Sequence, residues 1–440
     1  MNEQERVKLA HWVIDRARRA GADHAKVDIR GNRSIEISCR QRLLENLRES
    51  TQNSLSLSIY ADGRYSSHST NDLRRETLEG FVSEAVAMTK YLSQDQFRTL
   101  PEPRYFEGLE DRDLEIYDDS YEELTTDERI EVVRRIEDAA LSASDQVLSV
   151  TAYAEDSQGD LIKVHSKGFE AGRQATSYSA GLEVTVRDPD GGRPQEWSSF
   201  SVRRLKDLPD VAATAKETIE RALGKIGQTT IDSGVYDMIV ENRVATRLLG
   251  ALARPMYGSA LQQKQSFLDG KLGEKLFSED LTWIDHPFIP RGLGSRTFDS
   301  DGLALKRRAI IEKGRLADFY IDWYYSRKLG VEPTGGSSTN IIIEPGKRTL
   351  EEMIADMAKG ILVTGFIGGN SNPTTGDFSY GISGFYVENG ERVKPISEMN
   401  ISGTLQELWS NLVETGNDVW TYSSWRRPSL HFKNVHFSGV

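Results

Sequence analysis

Seven histidines are the residues of this 440-residue chain best able to hold a metal or move a proton: His11, His24, His68, His165, His286, His431 and His436. None stands in a His-Glu-x-x-His or comparable spacing, which on a helix would bring two imidazoles to one face around an ion. His431 and His436 fall in a segment that reads as a terminal strand, where a spacing of five sends them to opposite faces and keeps them from sharing a metal. The single cysteine, Cys39, stands among Ser38, Arg40 and Arg42, whose charges would favour a thiolate. No histidine lies near it in sequence to act as its base. One cysteine excludes a disulfide framework and any all-thiolate zinc site. There is no Gly-x-Ser-x-Gly elbow for a serine nucleophile. Gly335-Gly336-Ser337-Ser338 lacks the lysine of a phosphate-binding loop, and no Gly-x-Gly-x-x-Gly occurs between Gly365 and Gly384.

That last segment, GFIGGNSNPTTGDFSYGISG, is the most unusual in the chain. Its glycines permit positive φ or close backbone approach. Two readings stay open on composition: a wide hairpin with bulges, or a loop whose main chain approaches a ligand. Asn372 and Asp377 are placed to fix it by bonding local backbone, as these residues do in turns.

The elements that must position these residues repeat. A helix over residues 3–20 carries Leu9, Trp12 and Val13 at helical spacing. Alternating runs at 26–30 and 34–38 follow, with Gly31-Asn32 as a turn between them. A further run over 55–59 leads to a second helix from Asn71 to about Leu92. A helix near Asp127–Ser142 then opens the same order again: runs at 147–154, 161–165 and 182–186, and a helix over 208–223. We expect an α+β fold, with two duplicated N-terminal units (residues 1–100 and 124–230). An acidic, Pro-containing linker (101–123) with Asp111, Asp113 and Glu115 separates them. From 231 to 440 the Gly-rich strands and dense turns suggest an antiparallel sheet or barrel with attached helices near 245–252, 350–358 and 404–411.

Acids outnumber Lys and Arg by 67 to 55, a formal charge of −12. Nucleic-acid binding usually needs a basic face, so no direct nucleic-acid partner is expected. No apolar run approaches the ~18 residues that cross a bilayer, and the first residues carry acids and no apolar core of a signal peptide. The expected location is the cytoplasm, with no membrane partner.

Three stretches resemble the TldD/PmbA family: IPRGLGSRTFDSDGL at 289–303, YYSRKLG at 324–330, and NPTTGDFSYGISGFYVENGE at 372–391 with ISGTLQELWSNLVETGND at 401–418. They are long and specific and lie in the C-terminal 200 or so residues; the duplicated front half agrees with the family in outline. The resemblance implies a relation to zinc metallopeptidases that degrade unfolded peptides and mature peptide antibiotics. An older label for such chains is modulator of DNA gyrase. TldD-like members carry His-Glu-x-x-x-His on a helix and a further ligand near the C-terminus. PmbA-like (TldE-like) members lack the motif and act with a TldD-like partner.

Here the motif's place falls within LLGALARPMYG, residues 248–258. Gly250, Ala251, Arg254 and Pro255 mark the degenerate region. From Asn242 through Leu268 there is no His, Asp, Glu or Cys, so neither a zinc ligand nor a general base is available. Gly416-Asn417-Asp418 stands where the C-terminal cysteine of a TldD-like chain is expected. The resemblance therefore implies a PmbA-like subunit with no catalytic residue or metal site of its own. Zinc is expected only in a TldD-like partner, the substrate is a peptide, and the chain in isolation is a homodimer. The alternative is a stand-alone homodimeric regulatory or peptide-binding protein. The Gly-rich signatures point to Arg291, Gly292, Asn372, Gly376, Asp377, Gly381 and Gly384 as borders of a peptide- or partner-facing cleft, whose main chain would pair without reading side chains.

Overall fold

The computed structural model describes residues 1–109 and 112–439; Asp111 of the acidic linker lies outside them. Two copies of one unit open the chain. The first is α1 (Glu3–Arg19), β1 (His24–Arg40), β2 (Leu43–Ala61), β3 (Arg64–Thr70) and α2 (Arg75–Thr89). The second is α3 (Thr126–Leu141), β4 (Val147–His165), β5 (Glu170–Val186), β6 (Gln195–Val202) and α4 (Val211–Leu223). Both begin alike. Asn2 accepts the Glu5 N–H while Glu5 accepts the Asn2 N–H, and Thr125 and Glu128 form the same reciprocal cap on α3.

The copies share one sheet, in the order β3-β2-β1-β4-β5-β6, with β1 and β4 antiparallel at its centre. This corrects the expected turn at Gly31-Asn32, because β1 runs straight through it for 17 residues. Gly31 pairs with Asn53 on one side and Asp160 on the other, and two-sided pairing overrides the local turn preference of a Gly-Asn dipeptide. A Cβ there would press on the Asp160 carboxylate and the Arg6 guanidinium, the ends of two side chains that pack over Gly31. For the same reason β4 is one strand of 19 residues and not two short ones.

Val27 and Ile29 belong to one apolar core, with α1 and α2, while Ile35 and Ile37 belong to a second, with α3 and α4. These odd-numbered positions share one face of β1, so both helix pairs cover the same side of the sheet. The other side meets the C-terminal part. There Lys26 bonds the carboxylate of Asp301, and Lys163 donates to the Ser300 carbonyl.

In the C-terminal part the chain runs β7 (Gly234–Val240), α5 (Thr246–Ala253), α6 (Gly258–Gln262), β8 (Trp283–Asp285), β9 (Arg308–Glu312), β10 (Arg315–Leu316), α7 (Trp323–Leu329), β11 (Ile341–Ile343) and α8 (Leu350–Ala355). It ends with β12 (Lys359–Ser371), β13 (Asp377–Glu388), β14 (Glu391–Thr404), α9 (Leu405–Ser410), β15 (Leu412–Thr415), β16 (Trp425–Arg426) and β17 (Leu430–Gly439). Strands β14-β13-β12-β7-β17 form a sheet that closes into a five-stranded barrel through β14–β17 pairing, with β15 added on β17. A second sheet has the order β10-β9-β8-β11-β16. Closure removes sheet edges and needs sharp bends. Gly381 and Gly384 lie beside register shifts of β12 and β13, and a Cβ on either would overlap the carbonyl oxygen of Ile367 or Leu362. Leu248, Leu249 and Leu252 anchor α5 in the core with Met238, Phe378, Trp409 and Phe432. Among the described residues no helix is long and apolar enough to cross a membrane.

Candidate functional site

A cleft of about 990 Å³ lies where the six-stranded sheet meets the barrel. On one side it is lined by seven consecutive residues, Arg193–Ser199, most of them on β6. On the other it is lined by Thr364–Ile367 and Gly369–Ser371 of β12. A strand that turns one face to a cavity contributes alternate residues; unbroken runs mean that the edges of β6 and β12 face the space. Both edges lack a strand partner among the described residues. β6 ends its sheet, and β12 pairs with β7 only over Gly360–Val363, so the rest of β12 has a neighbour only in β13.

The floor is α5. Thr246, Arg247, Gly250, Ala251 and Arg254 line the cleft, and their spacing is that of one helical face. Gly250, Ala251 and Arg254 are among the residues expected to mark a degenerate motif, and this face carries arginines and no imidazole, thiolate or carboxylate. Arg247 donates to the carbonyls of Gly368 and Gly369 and lies over the Tyr380 ring at 4.6 Å. Arg254 is exposed. Pro255 is buried in a 3-10 turn, Arg254–Met256, that follows directly on the end of α5 at Ala253. Zinc requires imidazole, thiolate or carboxylate donors, and α5 has none, so the residues do not fit the ion. Nowhere among the described residues do three or more such donors cluster.

The polarity of β6 is inverted at its start. Glu196 and Ser198 point inward and are buried, while Trp197 is 59% exposed. Ser198 accepts from Thr218 at 2.8 Å, and Glu196 lies 3.0 Å from Lys225 and 3.7 Å from Arg221. Ile367, on the facing strand, is also exposed. Sequence reading missed both, although a lone tryptophan out of phase in Gln195-Glu196-Trp197-Ser198 is a visible signal.

The other expected site residues fall elsewhere. The Gly-rich segment is a hairpin of β12 and β13 with register shifts at Val363/Gly365 and Ile367/Asn370, as the bulged-hairpin reading expects. Asn372, Gly376 and Asp377 form its turn: Asn372 accepts the Thr374 N–H at 2.9 Å, and the Gly376 N–H reaches the Asn372 carbonyl at 2.8 Å. Asp377 bonds the Thr375 hydroxyl and not backbone. None of these three lines the cleft, nor do Gly381 and Gly384. Arg291, with φ 58°, bridges parts of the chain: Nε is 2.9 Å from Glu115 and Nη1 is 3.1 Å from Asp207. Gly292 is packed under Ser295 and Asn340. Leu293–Ser295 border a separate cavity of about 320 Å³ with Arg30, Arg173, Arg203 and Arg296.

Known proteins resemble the chain throughout. Family models for the PmbA/TldA metallopeptidase domains match in order: domain 1 at residues 25–89, the central domain at 119–226 and the C-terminal domain at 233–439. The chain is 29% identical over 421 residues to a protein of Escherichia coli O157:H7 named metalloprotease PmbA, covering 95% of this chain and 93% of that one. A crystal structure from Bacteroides thetaiotaomicron, described as a candidate modulator of DNA gyrase, superposes with a TM-score of 0.97 at 40% identity over the whole of both chains. TldE from Thermococcus kodakarensis shares the fold, with a TM-score of 0.88 at 22% identity over 98% of this chain and 100% of that one.

Proposed function

Because the chain belongs to the TldD/PmbA family, we propose that it is the peptide-holding, non-catalytic subunit of a two-component peptidase in the cytoplasm, whose zinc is carried by a TldD-like partner. The observation that carries this reading is the cleft itself. Two strand edges without strand partners among the described residues face one space whose floor offers Gly250, Ala251 and Arg254, where the family resemblance leads us to expect the motif's place, and no zinc ligand. Free strand edges recognise extended chains through main-chain N–H and C=O groups, an affinity that does not depend on one sequence. The exposed Trp197 and Ile367 add apolar surface beside those edges. Zinc-assisted hydrolysis needs a bound ion and a general base, and α5 supplies neither ligands for the one nor the other. Arg247 and Arg254 would in addition repel a divalent cation.

The test is co-purification with a TldD-like chain from the same organism, followed by metal analysis of each subunit. The reading requires a stable complex with zinc in the partner alone. A chain that never associates with such a partner, or that carries the zinc itself, contradicts it.

A further inference from the structure

We propose that the peptide this cleft takes is acidic, an inference that rests on the peptide-holding reading above and names its substrate class. Among the described residues, seven cationic side chains line the space against one carboxylate, Glu196. Three of the seven are neutralised locally. Arg221 binds Glu241 through two contacts of 2.6 Å, Lys225 lies 3.0 Å from Glu196, and Arg243 pairs with Glu217. The other four, Arg193, Arg247, Arg254 and Arg427, have no carboxylate within ion-pair distance among the described residues. Arg247 donates to the carbonyls of Gly368 and Gly369, and the buried Arg427 donates to those of Trp425 and Arg243. Arg193 and Arg254 are exposed on the rim and floor.

This excess is opposite in sign to the whole chain, whose formal charge is −12. The net charge would repel an acidic peptide at long range. At physiological ionic strength, however, exposed charges more than ~8 Å apart are largely screened, so the local arginines decide what binds. A cleft lined by one sign of charge also concentrates ligands of the other. Strand edges select extended main chain, so a peptide with Asp and Glu side chains satisfies both features, whereas a nucleic-acid strand would leave the edge N–H and C=O groups unpaired.

The experiment is fluorescence anisotropy of the purified chain with three labelled, unstructured peptides of equal length: Asp/Glu-rich, Ser/Gly-rich and Lys-rich. A single-stranded DNA of similar length is the fourth probe. The acidic peptide is expected to bind about tenfold more tightly than the neutral one, the sum of several exposed ion pairs. That margin should shrink as salt rises. Arg193→Gln with Arg254→Gln should lower acidic-peptide affinity severalfold more than neutral-peptide affinity, narrowing the margin between them, with an unchanged thermal melt showing that the fold is kept. Equal affinities for all three peptides, or an undiminished preference in the double variant, overturn the charge inference and leave the peptide-holding reading standing. Tighter binding of the DNA overturns the inference in favour of a nucleic-acid ligand. Failure of every peptide to bind removes the peptide-holding reading as well.

Discussion

Lys163 Nζ lies 2.6 Å from Asp28 Oδ1, and the two residues are direct cross-strand partners on β4 and β1, where the duplicated units join. Lys163 is 1% exposed and also donates to the Ser300 carbonyl at 2.9 Å, so one ammonium ties both units to the C-terminal part. Burial pushes its pKa down, and Asp28 pulls it back up. Removing Asp28 leaves the buried Lys163 with only the Ser300 carbonyl and the charge of Asp301 to offset its burial, at a cost of up to about 3–5 kcal/mol. Asp28→Ala should therefore destabilise by about that much in urea, and Lys163→Met combined with Asp28→Leu by much less. Equal losses in the single and double variants would show that the pair's charge is not what matters there.

His165 sets an acid limit on stability. Its ring stacks on Phe169 at 5.1 Å, and among the described residues neither ring nitrogen has a hydrogen-bond partner. Burial first, and then Lys26, Lys163 and Lys167, push its pKa down to about 3. The unfolded chain protonates this histidine near its ordinary value of about 6.5, so below that pH the unfolded state binds the proton that the folded state refuses. Stability falls as pH drops from about 6.5 toward 3, by about 2 kcal/mol at pH 5. Urea melts of His165→Phe should show a smaller loss between pH 7 and pH 5 than the parent. An identical loss would place the acid sensitivity elsewhere.

Gly384→Ala tests barrel closure. The added methyl would overlap the Leu362 carbonyl oxygen on the neighbouring strand. A cost of about 1–3 kcal/mol is expected, as for other overpacked sites. Gly250→Ala, with nothing near its Cβ position, should be neutral or slightly stabilising because alanine favours helix. The pair of urea midpoints checks both.

Much of this architecture could be read in the residues. The helical spacing in α1 and the period-two runs in β1, β2 and β5 are local signals, and they located the duplicated units. What failed was local chemistry overridden by long-range pairing. Gly31-Asn32 has the composition of a turn, yet lies mid-strand because partners on both sides satisfy its backbone. The lack of His, Asp, Glu and Cys from Asn242 through Leu268 was visible in the sequence. The cleft above this stretch was not, since it forms only where β6 and β12, some 170 positions apart, bring their edges together. Arg291 stood out by its Gly-rich setting, but that setting serves a left-handed backbone and a bridge to Glu115 and Asp207.

Metal binding is a separate check. Elemental analysis of the purified chain after zinc loading and mild chelation should find far less than one ion per chain, because α5 lacks donors. A single equivalent surviving chelation would mean that a site exists outside the cleft described above.

The most direct test of the central claim is cleavage of a labelled unfolded peptide by this chain together with a TldD-like catalytic chain. The chain alone, with zinc supplied, should cleave nothing, and the mixture should be active. Trp197→Ala, which removes an exposed side chain at the cleft edge, should leave association intact. It should lower the rate at subsaturating peptide about tenfold, as loss of an aromatic anchor does. Cleavage by the zinc-loaded chain alone, or full activity of a properly assembled Trp197→Ala complex, would contradict a peptide-holding, non-catalytic role for this cleft.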